Sequence, residues 1–398
     1  MITRAPGEDT AAEQHGQPEL PPPPAPAYLY TKRYLNFDYG PQHPLRIGRL
    51  GLTDELIHLC GLAQISHPVR PASQEELRAF HDRRYLETLE ELSRGEGGQG
   101  FGTFGLGPGD NPVFPGLFDW SSLLAGASLA AARLVGEQGH RVAFNMAGGM
   151  HHALPARASG FCYLNDPVLA IKELLKHCRR VAYIDIDAHH GDGVQWAFYD
   201  SPRVLTISLH QHPATLFPGT GYLEEMGRGE GRGFAVNIPL WPDTDDDIFV
   251  QCFETLVPPL IEAFQPDFIV TQLGADTLLT DPLANLNLTT TGFGRVLKLM
   301  RQLAQGHWVA LGGGGYNVVN VARAWTLAWA VMLGREDELP RRLPRVMRER
   351  LKLDEDEQWL LDPPEKLRGR FWYRARRDAE DVIERIKAEI FPLLGARG

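Results

Sequence analysis

The chain has 398 residues, of which 43% are hydrophobic and 23% charged, so one large domain can accommodate it and two domains are not required. Its net charge of −10 at pH 7 offers no basic footprint for a phosphate backbone, and we expect no direct binding of nucleic acid. The four cysteines form no CxxC pair, which argues against a zinc ribbon and a disulfide scaffold. No apolar run approaches the roughly 20 residues of a membrane span, which argues against a transmembrane protein. Together these features favour a cytoplasmic setting.

The N-terminal third begins with a segment of low apolar content. Residues 1–27 end in a proline run and are predicted to form a disordered or extended leader. Apolar residues become frequent from Tyr28 onwards. Ser73 and Glu76 form a candidate capping box at the start of a helix, and the glycine-rich stretch 95–115 is predicted to be a long surface loop.

Beyond residue 115, short apolar runs alternate with helical patterns, which is typical of a parallel sheet covered by helices on both faces. The candidate strands are 141–146, 181–184, 203–210, 268–274 and 308–312. Helices are predicted at 123–135, from an N-cap at Asp166, and at 292–305. The charged region from about residue 336 contains an amphipathic pattern at 379–390, which predicts a helix docked on the body or on another subunit.

Polar or glycine-rich residues follow each candidate strand at its carboxyl end. These segments are Gly148–His152, Asp185–Asp192, Ser208–His210, Gly274–Asp276 and Gly312–Tyr316. Ligands of open parallel sheets bind beyond the carboxyl ends of the strands, so we predict that the five segments converge on one site.

Three of these residues are candidate metal ligands. Asp187 and His189 are two apart, and in an extended segment this spacing puts both side chains on one side. Asp276 is the natural third ligand, because a carboxylate after an apolar strand needs a cation. Such a set leaves positions open for water and substrate, as in catalytic zinc sites, and Fe²⁺ also fits it. The alternative is a buried network of Asp and His ion pairs. For any one of these residues alone the network is the better interpretation, but for the three together a metal site is.

The remaining polar residues suit proton transfer. His151 and His152 follow two glycines, and histidines that bind no metal can move protons near a metal-bound water. Asp185 and Asp192 are the carboxylates available to fix their tautomers. Tyr316 follows four glycines and offers a phenol to an oxyanion, although a glycine run alone is more often a simple turn.

Several longer stretches occur in one order from about Tyr28 to Gly334. They include HPLRIGRL, GGMHHA, GFCYLND, DIDAHHGDG, FPGTG, GADTLLTDP and GGGGY. In these stretches the chain resembles the zinc-dependent histone deacetylases together with the bacterial acetoin-utilisation deacetylases. The resemblance implies an α/β catalytic domain at 28–335 with the single-domain arginase/deacetylase fold, an eight-stranded parallel sheet with helices on both faces. A charged helical extension would follow at 336–398.

The resemblance implies roles for the residues singled out above. The family's zinc ligands fall on Asp187, His189 and Asp276. Its paired histidines fall on His151, which Asp185 would orient, and on His152. Asp192 would orient His152, the main general base and acid of the family. The tyrosine that polarises the substrate carbonyl falls on Tyr316.

Further positions are implied by the resemblance alone. Asp110 matches a rim carboxylate that holds the substrate backbone, and Gly160 with Phe161 matches residues that line the acyl-lysine tunnel. Arg49 matches an arginine of the inner product channel. Structural potassium ions are also expected, with matching residues at Asp185, Asp187, His189, Ser208 and Leu209 for one site and at Phe198, Ser201 and Val204 for a second.

The residues around the tunnel also bear on the substrate. Counting from Ser208, the second aromatic wall falls on His212, which leaves room for acyl groups other than acetyl. Leu283 stands where polyamine deacetylases carry an acidic gatekeeper, so a polyamine substrate is disfavoured. His190 is expected to be structural.

These observations predict zinc-dependent hydrolysis of N-ε-acyl-lysine amides in proteins or peptides, with release of a carboxylate and lysine. An acetylpolyamine or other small-amide hydrolase would share the fold and the metal site. A binuclear manganese ureohydrolase would need further carboxylates, and an inactive acyl-lysine-binding module is the alternative from another class. By analogy with the acetoin-utilisation relatives, an acyl-CoA synthetase is a candidate substrate protein, and a homo-oligomer is left open.

Overall fold

The structure is a computed structural model that describes residues 24–96, 102–363 and 368–397. The predicted leader at 1–27 therefore lies outside the described residues except for its last four, and so do residues 97–101 of the predicted loop. Among the described residues, no helix combines the length and the apolar character that crossing a bilayer requires.

The described chain builds its core around one sheet in which every pair of neighbouring strands is parallel. Its strands are β1 (Ala27–Tyr28), β2 (Val142–Asn145), β3 (Val181–Asp185), β4 (Val204–Gln211), β5 (Ala235–Leu240), β6 (Phe268–Gln272) and β7 (Trp308–Leu311). They lie in the order β1-β2-β7-β6-β3-β4-β5. All five strands predicted from the sequence are present, in positions that differ from the prediction by a few residues at their ends.

Over the described residues the sheet has seven strands, and the eight implied by the resemblance is therefore wrong. Beside β1, Ser66 pairs with Tyr28 through a single isolated bridge, and His67 N donates to Tyr28 O at 2.8 Å. Pro68 follows and has no N–H with which to continue the ladder. The eighth position is therefore held by one bridge, which is too short to be a strand.

Helices cover the sheet on both faces. They are α1 (Gly48–Leu59), α2 (Gln74–Leu77), α3 (Arg83–Ser93), α4 (Leu117–Gly136), α5 (Asp166–Leu174), α6 (Asp192–Phe198), α7 (Asp246–Phe264), α8 (Thr290–Ala304), α9 (Val318–Leu333), α10 (Arg345–Leu351), α11 (Trp372–Glu389) and α12 (Phe391–Leu394). α4, α5 and α6 pack as one group, and α1, α9, α8 and α7 form a second. Because β2, β3, β4 and β7 are buried along their whole length, both faces of the sheet are covered.

The starts of two helices test the capping predictions. The capping box of Ser73 and Glu76 at α2 is confirmed. The N-cap of α5 is Asn165 rather than Asp166, because the Asn165 side chain accepts from Val168 N. The Asp166 carboxylate is instead directed at the turn after β2, where it accepts the backbone N–H groups of Gly149 and Met150, the latter at 2.8 Å. Asp166 therefore holds the glycine turn that precedes the two histidines.

The parallel register brings the carboxyl ends of the strands to one edge of the sheet. Asp185 at the end of β3 lies beside Ser208 of β4 and Gln272 of β6. Asn145 at the end of β2 lies beside Leu311 of β7. The polar segments that follow these strands consequently start from neighbouring positions, as the sequence predicts.

Candidate active site

The three predicted metal ligands lie together beyond β3 and β6. Nδ1 of His189 is 3.1 Å from Oδ1 of Asp187 and 3.0 Å from Oδ2 of Asp276. One ligand atom of each residue lies within 4.8 Å of the other two, and all three side chains are buried. In the part of the chain that the structure describes, this is the group of potential ligands that could hold a metal ion.

The chemistry of this cluster fits a divalent cation. Burial, together with the charge of Asp187, raises the pKa of Asp276 to about 7. Burial lowers the pKa of His189, but its hydrogen bonds with both carboxylates outweigh burial and raise that pKa to about 10. The two carboxylates thus need a proton or a cation between them, and two carboxylates with one imidazole are the donors of a catalytic zinc site.

Backbone and amide groups hold the two carboxylates in place. Gln272 Nε2 donates to Oδ2 of Asp187 at 2.6 Å, and Gly314 N donates to the same oxygen at 2.7 Å. Ala188 N donates to Oδ1 of Asp276 at 2.8 Å. A Cβ atom at Gly314 would collide with the Asp276 carboxylate, so the chain must have glycine at this point of its glycine run.

Two carboxylates orient the paired histidines. His151 Nδ1 is 2.8 Å from Oδ2 of Asp185, and His152 Nδ1 is 2.7 Å from Oδ1 of Asp192. The two Nε2 atoms lie 3.1 Å apart. Each carboxylate accepts a hydrogen bond from Nδ1–H of its histidine. In a neutral imidazole the Nε2 atom then carries no proton and can accept one.

The environments of the two histidines separate their proton affinities. Burial and the neighbouring His151 lower the pKa of His152 to about 4. Burial also lowers the pKa of His151, but the charge of Asp185 and that of Asp187 outweigh it and raise that pKa to about 9. The surroundings therefore shift the proton affinities of the two histidines in opposite directions.

Tyr316 is positioned from the loop after β7. Its backbone N–H donates to Oδ2 of Asp281 at 2.8 Å. Its ring lies 6.1 Å from the ring of His189 and 5.7 Å from that of Phe161, both edge to face. The ring of Tyr316 thus packs directly against one of the candidate metal ligands.

Arg49 braces the glycine run that carries Tyr316. It is buried in α1, and its guanidinium donates to the carbonyl oxygens of Gly313 and Gly315, at 2.8 Å each. The guanidinium also lies over the ring of Trp325, 5.0 Å from the ring centroid. These contacts place Arg49 behind the tyrosine loop, on the inner side of the site.

Phe217, which was not among the predicted site residues, forms the second aromatic wall. Its ring lies 5.1 Å from the ring of His152. His212 N donates to Leu240 O at 2.7 Å, which keeps His212 beside β5, and its ring packs 4.9 Å from Trp241. The assignment of this wall to His212 is therefore wrong, because the chain turns back towards the histidines only after His212.

We expect replacement of Phe217 by alanine to raise KM for an acetyl-lysine peptide about five- to tenfold. The reason is that an aromatic ring against the lysine methylene groups contributes about 1 kcal/mol. Steady-state kinetics on a peptide with uncharged flanks measure the effect, and His212→Ala serves as the matched control. A larger loss in the His212 variant than in the Phe217 variant would contradict this placement of the wall.

The rim residues implied by the resemblance lie on two different loops. Asp110 is exposed, and its carbonyl oxygen is 3.2 Å from Nε2 of His43, whose ring packs against Phe161. Leu283 is half-buried, and its N–H donates to Asp281 at 2.9 Å. A Cβ atom at Gly160 would collide with the ring of His152, so Gly160 lies directly against that ring.

His190 has a structural position. Its Nδ1 lies 2.9 Å from Oγ1 of Thr220, and its Nε2 lies 3.2 Å from Oε1 of Gln195. Gln195 Nε2 in turn donates to Glu225 at 2.8 Å. This network ties α6 to the loop that carries Phe217.

The residues matched to potassium sites lie at and just beyond the end of β3, in β4, and in the segment that leads into β4. Asp185 and Ser208 pair in register. Ser201 N donates to Phe198 O at 2.9 Å, immediately before β4 begins at Val204. Asp187, His189 and Leu209 complete the first set. Potassium binding at these residues stays a prediction.

Comparison with known proteins gives matches over most of the chain. Residues 43–332 match the histone deacetylase domain model. The chain is 41% identical over 320 residues to histone deacetylase HDAC1 of Drosophila melanogaster, covering 79% of this chain and 61% of that protein. It is 41% identical over 319 residues to histone deacetylase B of Dictyostelium discoideum, covering 79% of this chain and 75% of that protein. The chain thus spans less than two thirds of the length of the Drosophila relative.

A solved structure shares the fold. The crystal structure of an HDAC homologue from Aquifex aeolicus has a TM-score of 0.83 and 38% sequence identity, and the match covers 92% of this chain and 100% of that one. A crystal structure of an HDAC homologue in complex with SAHA matches with the same values.

Proposed function

The chain belongs to the zinc-dependent histone deacetylase family, and from this premise we propose that it hydrolyses the amide of N-ε-acyl-lysine, above all acetyl-lysine, in proteins or peptides. The observation that carries the proposal is the meeting of three groups at one edge of the sheet. These are the metal-ligand cluster, the two histidines with their carboxylates, and Tyr316, whose ring packs against His189 and Phe161. The products would be a carboxylate and a free lysine side chain.

Asp187, His189 and Asp276 would hold the zinc ion, and Fe²⁺ fits the same donors. When bound, the ion supplies a Lewis acid for the amide carbonyl and lowers the pKa of water. The hydrogen bonds from Gln272 and Gly314 to Asp187 fix the orientation of one of these carboxylates. Structural potassium ions are proposed from family resemblance alone.

His152 accepts the proton of the attacking water at Nε2, since Asp192 engages its Nδ1 atom. Tyr316 donates a hydrogen bond from its phenol to the negative charge that develops on the acyl oxygen, and it keeps its proton throughout. His151 lies beside His152, and Asp185 orients it through its Nδ1 atom. His152 or His151 then protonates the leaving lysine nitrogen, which completes the hydrolysis.

The walls of the cavity favour an acylated lysine. The rings of Phe161 and Phe217 lie beside Tyr316 and His152 respectively, which suits an extended methylene chain. Asp110, at the rim, would hold the backbone of the substrate.

The alternatives find less support. Leu283 offers no charge to a polyamine amine. In the described residues one metal-ligand cluster is found, whereas a binuclear ureohydrolase needs carboxylates for two ions. A mere acyl-lysine reader would have no use for the His152 and Asp192 pair.

The names of the relatives support acetylated proteins as the substrate class. An acyl-CoA synthetase as the substrate protein and a cytoplasmic location are further proposals.

The test is a substrate panel with the purified, zinc-loaded full chain. We expect the highest kcat/KM for an acetyl-lysine peptide among acetyl-, propionyl-, butyryl- and succinyl-lysine peptides and acetylspermidine, with products measured by mass spectrometry. Metal-stripped protein is the control and should regain activity when zinc is added. A tenfold or greater preference for acetylspermidine would assign the chain to the small-amide hydrolases instead.

A further inference from the structure

The start of α11 carries a positive charge that the proposed chemistry does not use. Residues 368–378 contain five arginines and one aspartate, although the whole chain has a net charge of −10. This segment belongs to the C-terminal region that follows the catalytic motifs. Its charge is therefore opposite in sign to that of the rest of the molecule.

We give the name α11 cationic face to four exposed residues of this segment: Arg370, Tyr373, Arg374 and Arg377. Arg377 lies three residues after Arg374 and four after Tyr373, so these three are neighbours on the surface of α11. Arg370 lies in the turn that leads into the helix. They are exposed, with Tyr373 77% and the Arg377 side chain 78% accessible. Tyrosine and arginine are the residue types most enriched where proteins recognise other proteins.

The arginines are poorly placed for stabilising α11 itself. The first turn of the helix contains no acidic residue, and positive charges at a helix N-terminus oppose its dipole. Asp378 is shared between Arg374 and Arg377, at 3.4 Å from each. Among the described residues no carboxylate pairs with Arg370. One carboxylate for three guanidinium groups leaves the face positively charged.

One set of contacts joins this face to the wall of the active site. The guanidinium carbon of Arg374 lies 3.4 Å from the centroid of the Trp241 ring. Trp241 packs at 4.9 Å against His212, which precedes Phe217 by five residues in the same loop. The α11 cationic face therefore begins next to the loop that contains His212 and Phe217.

A second set of contacts reaches the rim. Phe371 N donates to Oδ2 of Asp243 at 2.7 Å, and Asp243 N donates to Asn285 O at 2.8 Å. Asn285 lies two residues from Leu283, whose N–H is held by Asp281. Since Asp281 also holds the backbone of the catalytic tyrosine, α11 is fixed to the rim loop on the tyrosine side of the site.

We propose that the α11 cationic face binds an acidic segment of the protein substrate that flanks the acyl-lysine. The inference rests on the proposed function and names a class of substrate for it. The contacts with Trp241 and Asp243 place this face beside the loops around the site, where residues that flank the acyl-lysine would pass. Guanidinium groups bind carboxylates in a bidentate manner, whereas a lysine-rich flank would be repelled. The net charge of −10 for the whole chain disfavours a long polyanion and favours a short acidic peptide.

The test compares acetyl-lysine peptides of equal length whose flanks are acidic, uncharged or basic, using the zinc-loaded full chain at low and high salt. We expect kcat/KM for the acidic peptide to exceed that for the basic one by about three- to tenfold at low salt, the scale of two or three exposed ion pairs, and less at high salt. In the variant Arg370→Gln/Arg377→Gln this ratio should fall towards one through KM. The control Arg83→Gln/Arg345→Gln removes equal charge from two exposed arginines of α3 and α10 and should keep the ratio.

Dissociation constants of the labelled peptides, measured by fluorescence anisotropy, test peptide binding at α11 separately from deacetylase activity. Absence of turnover with every peptide would overturn the proposed function, while arginine-dependent preference for the acidic peptide in binding would still support the surface. Equal values for acidic and basic flanks, or a preference that survives in the double variant, would overturn the surface and leave the deacetylase intact. Tighter arginine-dependent binding of a single-stranded oligonucleotide than of the acidic peptide would also overturn it.

Discussion

The variant His189→Ala is expected to lose bound zinc and to lower kcat/KM on an acetyl-lysine peptide by about 10³-fold or more. The imidazole is one of three ligands, and its loss leaves Asp187 and Asp276 as adjacent buried carboxylates that share a proton instead of a cation. Metal-ion catalysis contributes several kcal/mol, and about 1.4 kcal/mol corresponds to a tenfold change in rate. Metal content by elemental mass spectrometry and steady-state kinetics measure the two effects.

The neighbouring residue supplies the matched control. His190 is equally buried, but its ring nitrogens face Thr220 and Gln195 and not the ligand cluster. We therefore expect His190→Ala to be less stable than the parent but to retain about one zinc ion per chain. Should His189→Ala keep its zinc while His190→Ala loses it, the ligand assignment would have to be abandoned.

The variant Tyr316→Phe is expected to reduce kcat by about 10²- to 10³-fold, the usual cost of removing one donor to an oxyanion. KM should change little, because the phenol acts on charge that develops only in the transition state. The ring contacts with Phe161 and His189 remain, so the tunnel should keep its shape.

Single-turnover kinetics, together with the affinity for an acetyl-lysine peptide, would distinguish this loss from a binding defect. Tyr222→Phe removes a phenol from a partly exposed tyrosine outside the cavity and should leave the rate unchanged. A Tyr316 variant as active as the parent would rule out the role of the phenol.

The sheet could be predicted where its strands are continuous apolar runs. β3, β6 and β7 are of this kind, since helices cover both of their faces. β1 has two residues, and β5 contains Pro239, which is tolerated because β5 lies at an edge of the sheet. Neither strand has a periodic pattern long enough to be recognised. The missing eighth strand was an inference from resemblance, and Pro68 shows locally why the ladder stops.

The site could be predicted where one short segment supplies several groups, as Asp185 to Asp192 does. Phe217 was missed because residue counting cannot follow a loop that first pairs with β5 at His212 and then returns. Gln272 carried a signal that was overlooked, since an amide inside an apolar strand needs a buried partner, here Asp187. The α11 cationic face depends on contacts across more than 100 residues, which no local pattern reveals.

The position of α11 and α12 has a consequence for solubility. β5 lies at one end of the sheet, where an uncovered strand would offer its backbone groups to another chain. α11 packs against β5, Leu393 of α12 lies close to Gly233 just before it, and Pro239 removes one donor from the strand itself. The C-terminal helices thus protect this margin of the sheet from strand addition, so shortening the chain before α11 would expose a template for aggregation while every catalytic residue remained in place.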